Sequence, residues 1–568
     1  MQAASIFHLP NRDNEQLKSL NIKSFPNSTP QEETNAINYE VENIDEEISR
    51  LNLLKAHYRG RVNELRSKLS VLPIDILLRI FEHALSIEKD QLPGPDGILP
   101  LVLGCVCYSW RQLIWSTPSL WTTPSFSARL YSTPELIRLF FDNSGSLPVS
   151  VGWWDIVNYK PYEELGFIVR ERPEKLRAFR CYFTNEGREI WNLAELKIQT
   201  IQMLSSGLLP NLREAKIYHD GEFHDEVLRL PSLRELHWKG FLKLPSYIPI
   251  DNLTTLFLEE IQPDYCLDVL LKAPKLETFH VTITSILLRA GISSPHDEGH
   301  LISTAFQNRR EEVILPRLKY LKWVYDIHPL NRMWTYYLMK FVRLPSLEYL
   351  HFASRGSSTS LYVGEAEMEL VRHQFLVSMP RLKHYRWFWG HIFNPQGLGY
   401  WDDSVQYPLG STTRTFLSFL PSSVQKLHID FLEKTAQDCL GFLFQLLKVG
   451  NSEGEIVLPA LRELSIMGDS SRSVGERGLD LGVFYTELVE MLRSRRNGPP
   501  EKWKTIVRLE YFCIEVRDWG LLDKRWSKKG MNQCRDVAES IVGEGLRFEE
   551  RGRVPQFDES EDEIYLAE

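Results

Sequence analysis

Apolar side chains recur along this chain in three different rhythms, and each predicts a different element. The first runs through Ile37, Val41, Ile44, Ile48, Leu51, Lys55, Tyr58, Val62, Leu65 and Leu69, which step by alternating fours and threes. That spacing marks a helix with one apolar stripe and the heptad seam of a coiled coil. Thr29 and Pro30 followed by Gln31-Glu32-Glu33 supply a capping residue, a preset first-turn dihedral and negative charge for the helix start. Lys55 on the seam and Gly60 just beyond it weaken the stripe midway. Two readings stay open. One is a coiled coil over residues 37–69 that pairs two copies or takes a partner helix; the other is a single amphipathic helix folded against the segment that follows.

The second rhythm fills Leu72 to Trp121. Leu72-Pro73 opens a predicted helix on which Leu77, Ile80, Phe81, Ala84 and Leu85 recur at three- and four-residue steps, with Asp75 suited to the helix dipole. After a breaker-rich loop, Leu103, Val106, Trp110 and Leu113 repeat that spacing, and Pro118 with Leu120-Trp121 closes the segment. About fifty residues are too few to bury so many anchors alone.

From about residue 170 a third rhythm sets in, a unit of the form Pro-x-Leu-x-x-(apolar)-x-(apolar). Leu176, Phe179 and Cys181 begin it weakly. Full examples are Pro210-Leu212-Ala215-Ile217, Pro231-Leu233-Leu236-Trp238, Pro345-Leu347-Leu350-Phe352 and Pro459-Leu461-Leu464-Ile466; Leu509, Phe512 and Ile514 end the series. The last two anchors of each unit alternate with polar residues, as on a strand with one buried face, and the proline ends the helix or loop before it. Such units are incomplete singly and bury a continuous core when stacked.

Resemblance adds to this reading. Leu72-Pro73, Asp75, Leu77, Ile80-Phe81, Leu85, Leu101, Val106-Cys107, Trp110-Arg111, Ile114, Pro118 and Leu120-Trp121 stand in the order of an F-box, and the segment resembles that family over roughly fifty residues. The resemblance implies a three-helix motif that inserts into the Skp adaptor of a cullin-RING ubiquitin ligase and leaves the rest of the chain to hold a target protein. The adaptor-binding residues it implies are Leu72, Pro73, Leu77, Ile80, Phe81, Leu85, Leu101, Val106, Cys107, Trp110, Ile114, Leu120 and Trp121. Lys89 to Gly97 makes a longer connection between the helices than the compact motif has, and Gly104 weakens the second helix. The plain alternative is a helical hairpin capping the next domain. The third rhythm resembles degenerate leucine-rich repeats, although its spacing is irregular, the inward asparagine is missing, and Ser285 to Glu312 and Asn394 to Thr413 must loop out. An unrelated α/β domain with several Leu-Pro turns is the competing reading.

These readings together predict an α plus α/β chain: an N-terminal helix and a three-helix F-box, then an irregular leucine-rich-repeat-like solenoid. Its expected parts are a disordered N-terminus over 1–31, the amphipathic or coiled-coil helix over 32–70 and the F-box over 71–123. A connector over 124–169, the repeat domain over 170–548 and an acidic disordered tail over 549–568 complete it.

If the strands form, the residue between the two anchors points away from the core and lines a concave sheet surface. That column reads Lys216, His237, Phe257, His280, Lys322, His351, Arg386, His428, Ser465 and Cys513, with seven basic side chains and no acidic one. With Phe388 in the following column, it suits an acidic or phosphorylated partner. The bland alternative is a solvated polar face. Trp153-Trp154, Trp387-Phe388-Trp389 and Tyr400-Trp401 are either interface anchors or core, with Phe388 and Trp401 the better candidates for exposure.

Composition sets outer bounds. The 568 residues are 43% hydrophobic and 25% charged, enough for more than one domain or one long array. Six acidic residues between Pro555 and Glu568 account for most of the net charge of −9, so the remainder is near balance and argues against a nucleic-acid protein. Seven scattered cysteines lack the density of a disulfide framework, and no apolar run suits a secretory leader or a bilayer span. A cytoplasmic or nuclear setting follows as the expectation. There is no phosphate-cradling Gly-x-x-x-x-Gly-Lys motif, no His-Glu-x-x-His and no Gly-x-Ser-x-Gly, and Cys105 and Cys107 have no histidine at zinc spacing. The expectation is therefore a non-catalytic chain without cofactor or metal. Its partners would be the adaptor, through it a cullin, an unidentified protein substrate, and a second copy through residues 37–69. The competing class is a repeat-based interaction scaffold outside any ligase; a hidden enzyme is the third.

Overall fold

The computed structural model describes residues 29–66, 72–90, 98–127, 133–154, 160–182, 209–218, 230–240, 250–261, 263–283, 312–326, 329–355, 365–389, 417–432, 443–449, 456–469, 481–497, 506–517 and 547–551. Of the terminal segments expected to be disordered, 1–31 and 549–568, residues 1–28 and 552–568 lie outside the described residues, as do Trp401 and the insertions after Ile283 and Trp389; Pro30 and Gln31 instead open a helix, and residues 549–551 belong to a strand. Two compact units account for the chain: residues 1–84 with 101–116, and residues 85–100 with 117–568.

In the first unit, α1 (Pro30–Arg66) is a single helix of 37 residues. Its start is a capping box: the Thr29 amide and hydroxyl both donate to the Glu32 carboxylate at 2.8 and 2.9 Å, and the Glu32 amide returns a bond to the Thr29 hydroxyl. Those bonds hold the exposed Glu32 carboxyl below its ordinary pKa, the Thr29 amide acting most strongly. α2 (Ile74–Asp90) begins where the Pro73 carbonyl accepts from the amides of Ile76 and Leu77, both at 3.1 Å. It runs on through Lys89 and Asp90, which the sequence placed in the connection. The second predicted helix is in fact two, α3 (Leu99–Gly104) and α4 (Tyr108–Trp115). Its run of Leu103, Val106, Trp110 and Leu113 therefore spans a break. Gly104 ends α3, and its carbonyl is taken by the Arg111 side chain at 3.0 Å.

In the second unit a 3-10 turn, Pro118–Trp121, leads to β1 (Ser125–Ser127), α5 (Pro134–Asn143), β2 (Val149–Trp154) and α6 (Lys160–Glu171). The Thr133 hydroxyl caps α5, accepting from the Leu136 amide at 3.3 Å. Strands β3 (Leu176–Tyr182), β4 (Glu214–Tyr218), β5 (Glu235–Lys239), β6 (Thr255–Glu259) and β7 (Thr278–Ile283) follow. After the short β8 (Val313–Ile314) come β9 (Tyr320–Asp326), β10 (Val342–Arg343), β11 (Tyr349–Arg355) and β12 (His384–Trp389), then β13 (Lys426–Leu432), β14 (Glu463–Asp469), β15 (Tyr511–Arg517) and β16 (Arg547–Arg551). All but β8 and β10, which pair with each other, join one parallel sheet of 14 strands in which order in space follows order in sequence. The sheet begins at β1, inside the stretch read as a connector, and ends at β16, one strand past the predicted last unit.

The repeated proline has a geometric role. In Leu209-Pro210-Asn211-Leu212 the Leu212 amide donates to the Leu209 carbonyl at 3.3 Å, and the same bond closes Leu230 to Leu233, Leu344 to Leu347, Met379 to Leu382 and Leu458 to Leu461. Proline sits second in each of these four-residue turns, where its fixed φ is favourable. The turn sets the phase of the strand behind it. As a result Ala215, Leu236, Leu256, Phe279, Leu321, Leu350, Tyr385, Leu427, Leu464 and Phe512 align in one register column and are all buried. Between several strands the chain inserts helices, among them α7 (Pro263–Lys272), α8 (Pro329–Phe341), α9 (Glu365–Val377) and α10 (Leu481–Asn497).

Candidate docking site

The residues between Leu72 and Trp121 divide by exposure into a core set and an uncovered set. Leu77, Phe81, Leu85, Ile114, Leu120 and Trp121 are buried. Phe81 and Trp110 meet edge to face with ring centroids 4.7 Å apart, and Trp121 packs in the same way on Phe140 at 5.2 Å. These six residues were expected at an adaptor surface; here they carry the chain's own packing. Leu72, Leu101, Cys107 and Trp110 are half-buried, whereas Pro73, Ile80 and Val106 are exposed.

The uncovered set is larger than the sequence reading found. Ile74, Ile76, Ile80, Val102, Val106, Tyr108 and Trp115 are all exposed large apolar side chains of the first unit, Ile80 at 46% against 1% for its neighbour Phe81. Helix α2 is thus apolar on two faces: Leu77, Phe81 and Leu85 on one, Ile76 and Ile80 on another. One buried face needs a single stripe, so the surplus was the available signal for Ile74 and Ile76. Tyr108 and Trp115 bracket α4 and gave no periodic signal.

In the second unit the predicted outward column exists in register. Arg180, Lys216, His237, Phe257, His280, Lys322, His351, Arg386, His428, Ser465 and Cys513 pair strand to strand from β3 to β15. Arg180 extends it by one basic residue that the sequence reading missed. From His280 to His428 five consecutive strands each contribute a basic side chain.

The column is not an open charged surface, which corrects the expectation. Lys322 is only 8% exposed and His351 4%, and His237 is buried as well. Acidic residues in the flanking columns answer part of the charge: Glu214 to Arg180 and, at 3.8 Å, to Lys216; Glu235 to His237 at 2.9 Å; Asp430 to Arg386 at 3.0 Å and to His428 at 2.8 Å. Burial alone would raise the Asp430 carboxyl, but the charges of His428 and Arg386 outweigh it and hold the group far below the carboxylate range. His351 is pushed well down by burial first and then by Arg386, Lys322, His428 and His280, and its Nδ1 has no hydrogen-bond partner among the described residues. His237 and Phe257 stack at 3.8 Å. Phe388 aligns with Asp430 in the next column; its side chain, like those of Trp387 and Trp389, lies outside the described residues. Trp153 is buried against Phe126, with ring centroids 5.4 Å apart, and so belongs to the core.

Among the described residues no three His, Cys, Asp or Glu side chains converge as a metal set would, and no helix is long and apolar enough to cross a membrane. Residues 69–127 match the F-box-like family model, and the chain carries an F-box-like domain there. No curated protein matches the chain.

Proposed function

We propose that this protein is the substrate receptor of an SCF-type cullin-RING ubiquitin ligase, catalysing nothing itself. The observation that carries the reading is that an F-box-like segment buries Phe81 and Ile114 and still leaves Ile74, Ile76, Ile80, Val102, Val106, Tyr108 and Trp115 exposed. A surplus of exposed large apolar side chains marks an interaction site. A Skp-type adaptor, with its cullin, is the partner that the F-box implies, and a cytoplasmic or nuclear setting suits that machinery. Ubiquitin transfer would then be accelerated by proximity, through a raised effective concentration of target.

The parallel sheet takes the target in this reading. Strands laid down in sequence order, several of them opened by a proline turn, support a leucine-rich-repeat-like solenoid. Of the basic column, the half-buried Lys216 and His280 support capture of an acidic or phosphorylated segment, with charge-assisted hydrogen bonds as the contacts.

Affinity purification of the full chain tests both arms. Adaptor and cullin recovered together support the receptor reading; adaptor without cullin favours a scaffold outside the ligase; neither removes the reading. Ile80→Asp with Val106→Asp should abolish adaptor recovery. Lys216→Gln with His280→Asn, two ladder positions that do not hold Asp430, should lower recovery of other bound proteins while sparing the adaptor. Undiminished recovery removes the ladder from the reading.

A further inference from the structure

Helix α1 is bare along its whole seam: Ile37, Val41, Ile44, Ile48, Leu51, Tyr58, Val62 and Leu65 are 45 to 72% exposed. Among the described residues none covers that seam, and the helix does not fold its apolar stripe against the described part of the next segment. Helices draw most of their stability from packing of an apolar face, and this one of 37 residues leaves that face uncovered. Spacing of three and then four places Thr34, Val41, Ile48, Lys55 and Val62 at the a positions of a heptad and Ile37, Ile44, Leu51, Tyr58 and Leu65 at d. A single polar residue at an a position, here Lys55, specifies register.

Charge identifies the second strand. From Pro30 to Ser49 the helix holds seven acidic residues and no basic one; from Arg50 to Arg66 it holds five basic residues and one acidic. One half is therefore complementary to the other half of a second copy, provided that copy runs the opposite way. We propose that two copies of this protein pair through α1 as an antiparallel coiled coil.

The register follows from the seam. Ile48 of one copy faces Leu51 of the other, and outward from that centre Ile44 faces Lys55, Val41 faces Tyr58, Ile37 faces Val62 and Thr34 faces Leu65, each layer occurring twice. This alignment overlaps nearly all of the helix. It brings Glu40 beside Arg61 of the second copy, and Lys55 lays its methylene stem on Ile44 with its ammonium toward Asp45. A parallel pair would instead stack Lys55 on Lys55 and set Glu40 beside Asp45, with like charges at a core layer and along the flank. The intrahelical Glu47–Arg50 pair, at 2.6 Å, sits where the acidic and basic halves join.

The inference stands apart from the ligase reading: its failure would leave adaptor capture untouched, and the reverse also holds. Light scattering on the full chain should give twice the monomer mass, with Ile44→Asp/Ile48→Asp giving the monomer. Engineered cysteines report orientation. Under oxidation Val41→Cys/Tyr58→Cys should yield a covalent dimer, and Val41→Cys alone should yield no more than the wild-type chain, whose own cysteines set the baseline. Glu40→Arg should weaken pairing about tenfold, and adding Arg61→Glu should restore it. A wild-type monomer at tens of micromolar overturns the proposal, whatever foreign helix then occupies the seam. A covalent dimer from Val41→Cys alone overturns the orientation in favour of a parallel pair.

Discussion

The ring of Phe81 meets the indole of Trp110 edge-on at 4.7 Å, joining α2 to α4 in the F-box-like segment. Phe81 is buried while Ile80, one residue earlier, faces outward, so adjacent residues serve different ends. Phe81→Ala should cost about 3–5 kcal/mol and unfold the segment. Ile80→Ala should change stability by no more than about 0.5 kcal/mol and yet weaken adaptor binding. Thermal unfolding set beside adaptor titration separates the two. Equal stability losses for both variants would contradict this division of labour.

Arg386 and Asp430 form a second pair whose loss has a calculable direction. Both side chains are largely buried, and Asp430 also accepts from His428. Asp430→Asn leaves the Arg386 guanidinium without its counter-charge and should destabilise by roughly 3 kcal/mol or more. Arg386→Glu should be worse, because it places two carboxylates together. The pH dependence has a definite sign. The Asp430 pKa is depressed on folding, so its contribution is complete above the unfolded value of about 4 and is lost as pH falls below it. Acid unfolding of Asp430→Asn should therefore be shallower than that of the wild type below about pH 4. A denaturant series at pH 7 and pH 3 measures both effects.

How far these features could be read in advance depended on what fixes each one. The strand columns were legible because a repeated four-residue turn, with proline second in most copies, precedes many of the strands at fixed spacing, so that Lys216, His237 and the residues after them fell into register on spacing alone. Period-two alternation says which face a side chain takes and nothing of what lies over it; burial of Lys322 and His351 was therefore invisible. The three acidic residues that answer the ladder, Glu214, Glu235 and Asp430, sit two positions away in flanking columns, so a reading of one column could not count them. In the F-box-like segment, periodicity selects whatever repeats along one helix face, and that face proved to be the inner one. Pro73, Ile80 and Val106 were named and are exposed; Ile74, Ile76, Tyr108 and Trp115 fell off the dominant period. The break at Gly104 was hinted at by the glycine itself, but the Arg111 bond that seals it joins residues seven apart on either side of the turn.

Neutral buried histidines supply a third test. Burial, with the nearby cations, lowers the pKa of His351 well below its ordinary value and that of His384 to about 4; His237 is lowered by burial and by Lys216, against the pull of Glu235. His351 and His384 stay neutral in the folded chain while the unfolded chain takes up a proton near pH 6.5. Stability is therefore highest above about pH 6.5 and falls as pH drops toward 4, since the unfolded state binds more protons there. The melting temperature should decline from pH 7 to pH 5, and His351→Gln with His384→Gln should flatten that slope. An unchanged slope in the double variant would place the proton uptake elsewhere.

Arg495 offers the sharpest structural test of the second unit. Its guanidinium is buried, has no carboxylate partner among the described residues and donates to backbone carbonyls: Nε to Leu447 at 2.7 Å, Nη1 to Leu458 at 2.9 Å and Nη2 to Val457. Burial lowers its pKa to about 10, so it remains charged near neutral pH. One side chain of α10 thereby ties down the segment that ends at Val449 and the turn that opens β14, where Leu458 holds a left-handed φ of 51° ahead of Pro459. Arg495→Met fills similar space but strands three acceptors, at about 1–3 kcal/mol for each one left without water. Arg495→Lys keeps the charge yet lacks the planar fork needed to reach all three. The expected order of stability is arginine, then lysine, then methionine, with the methionine variant at least about 3 kcal/mol below the wild type in chemical unfolding. Equal stability for arginine and methionine would mean that water reaches those carbonyls and that the clamp contributes nothing.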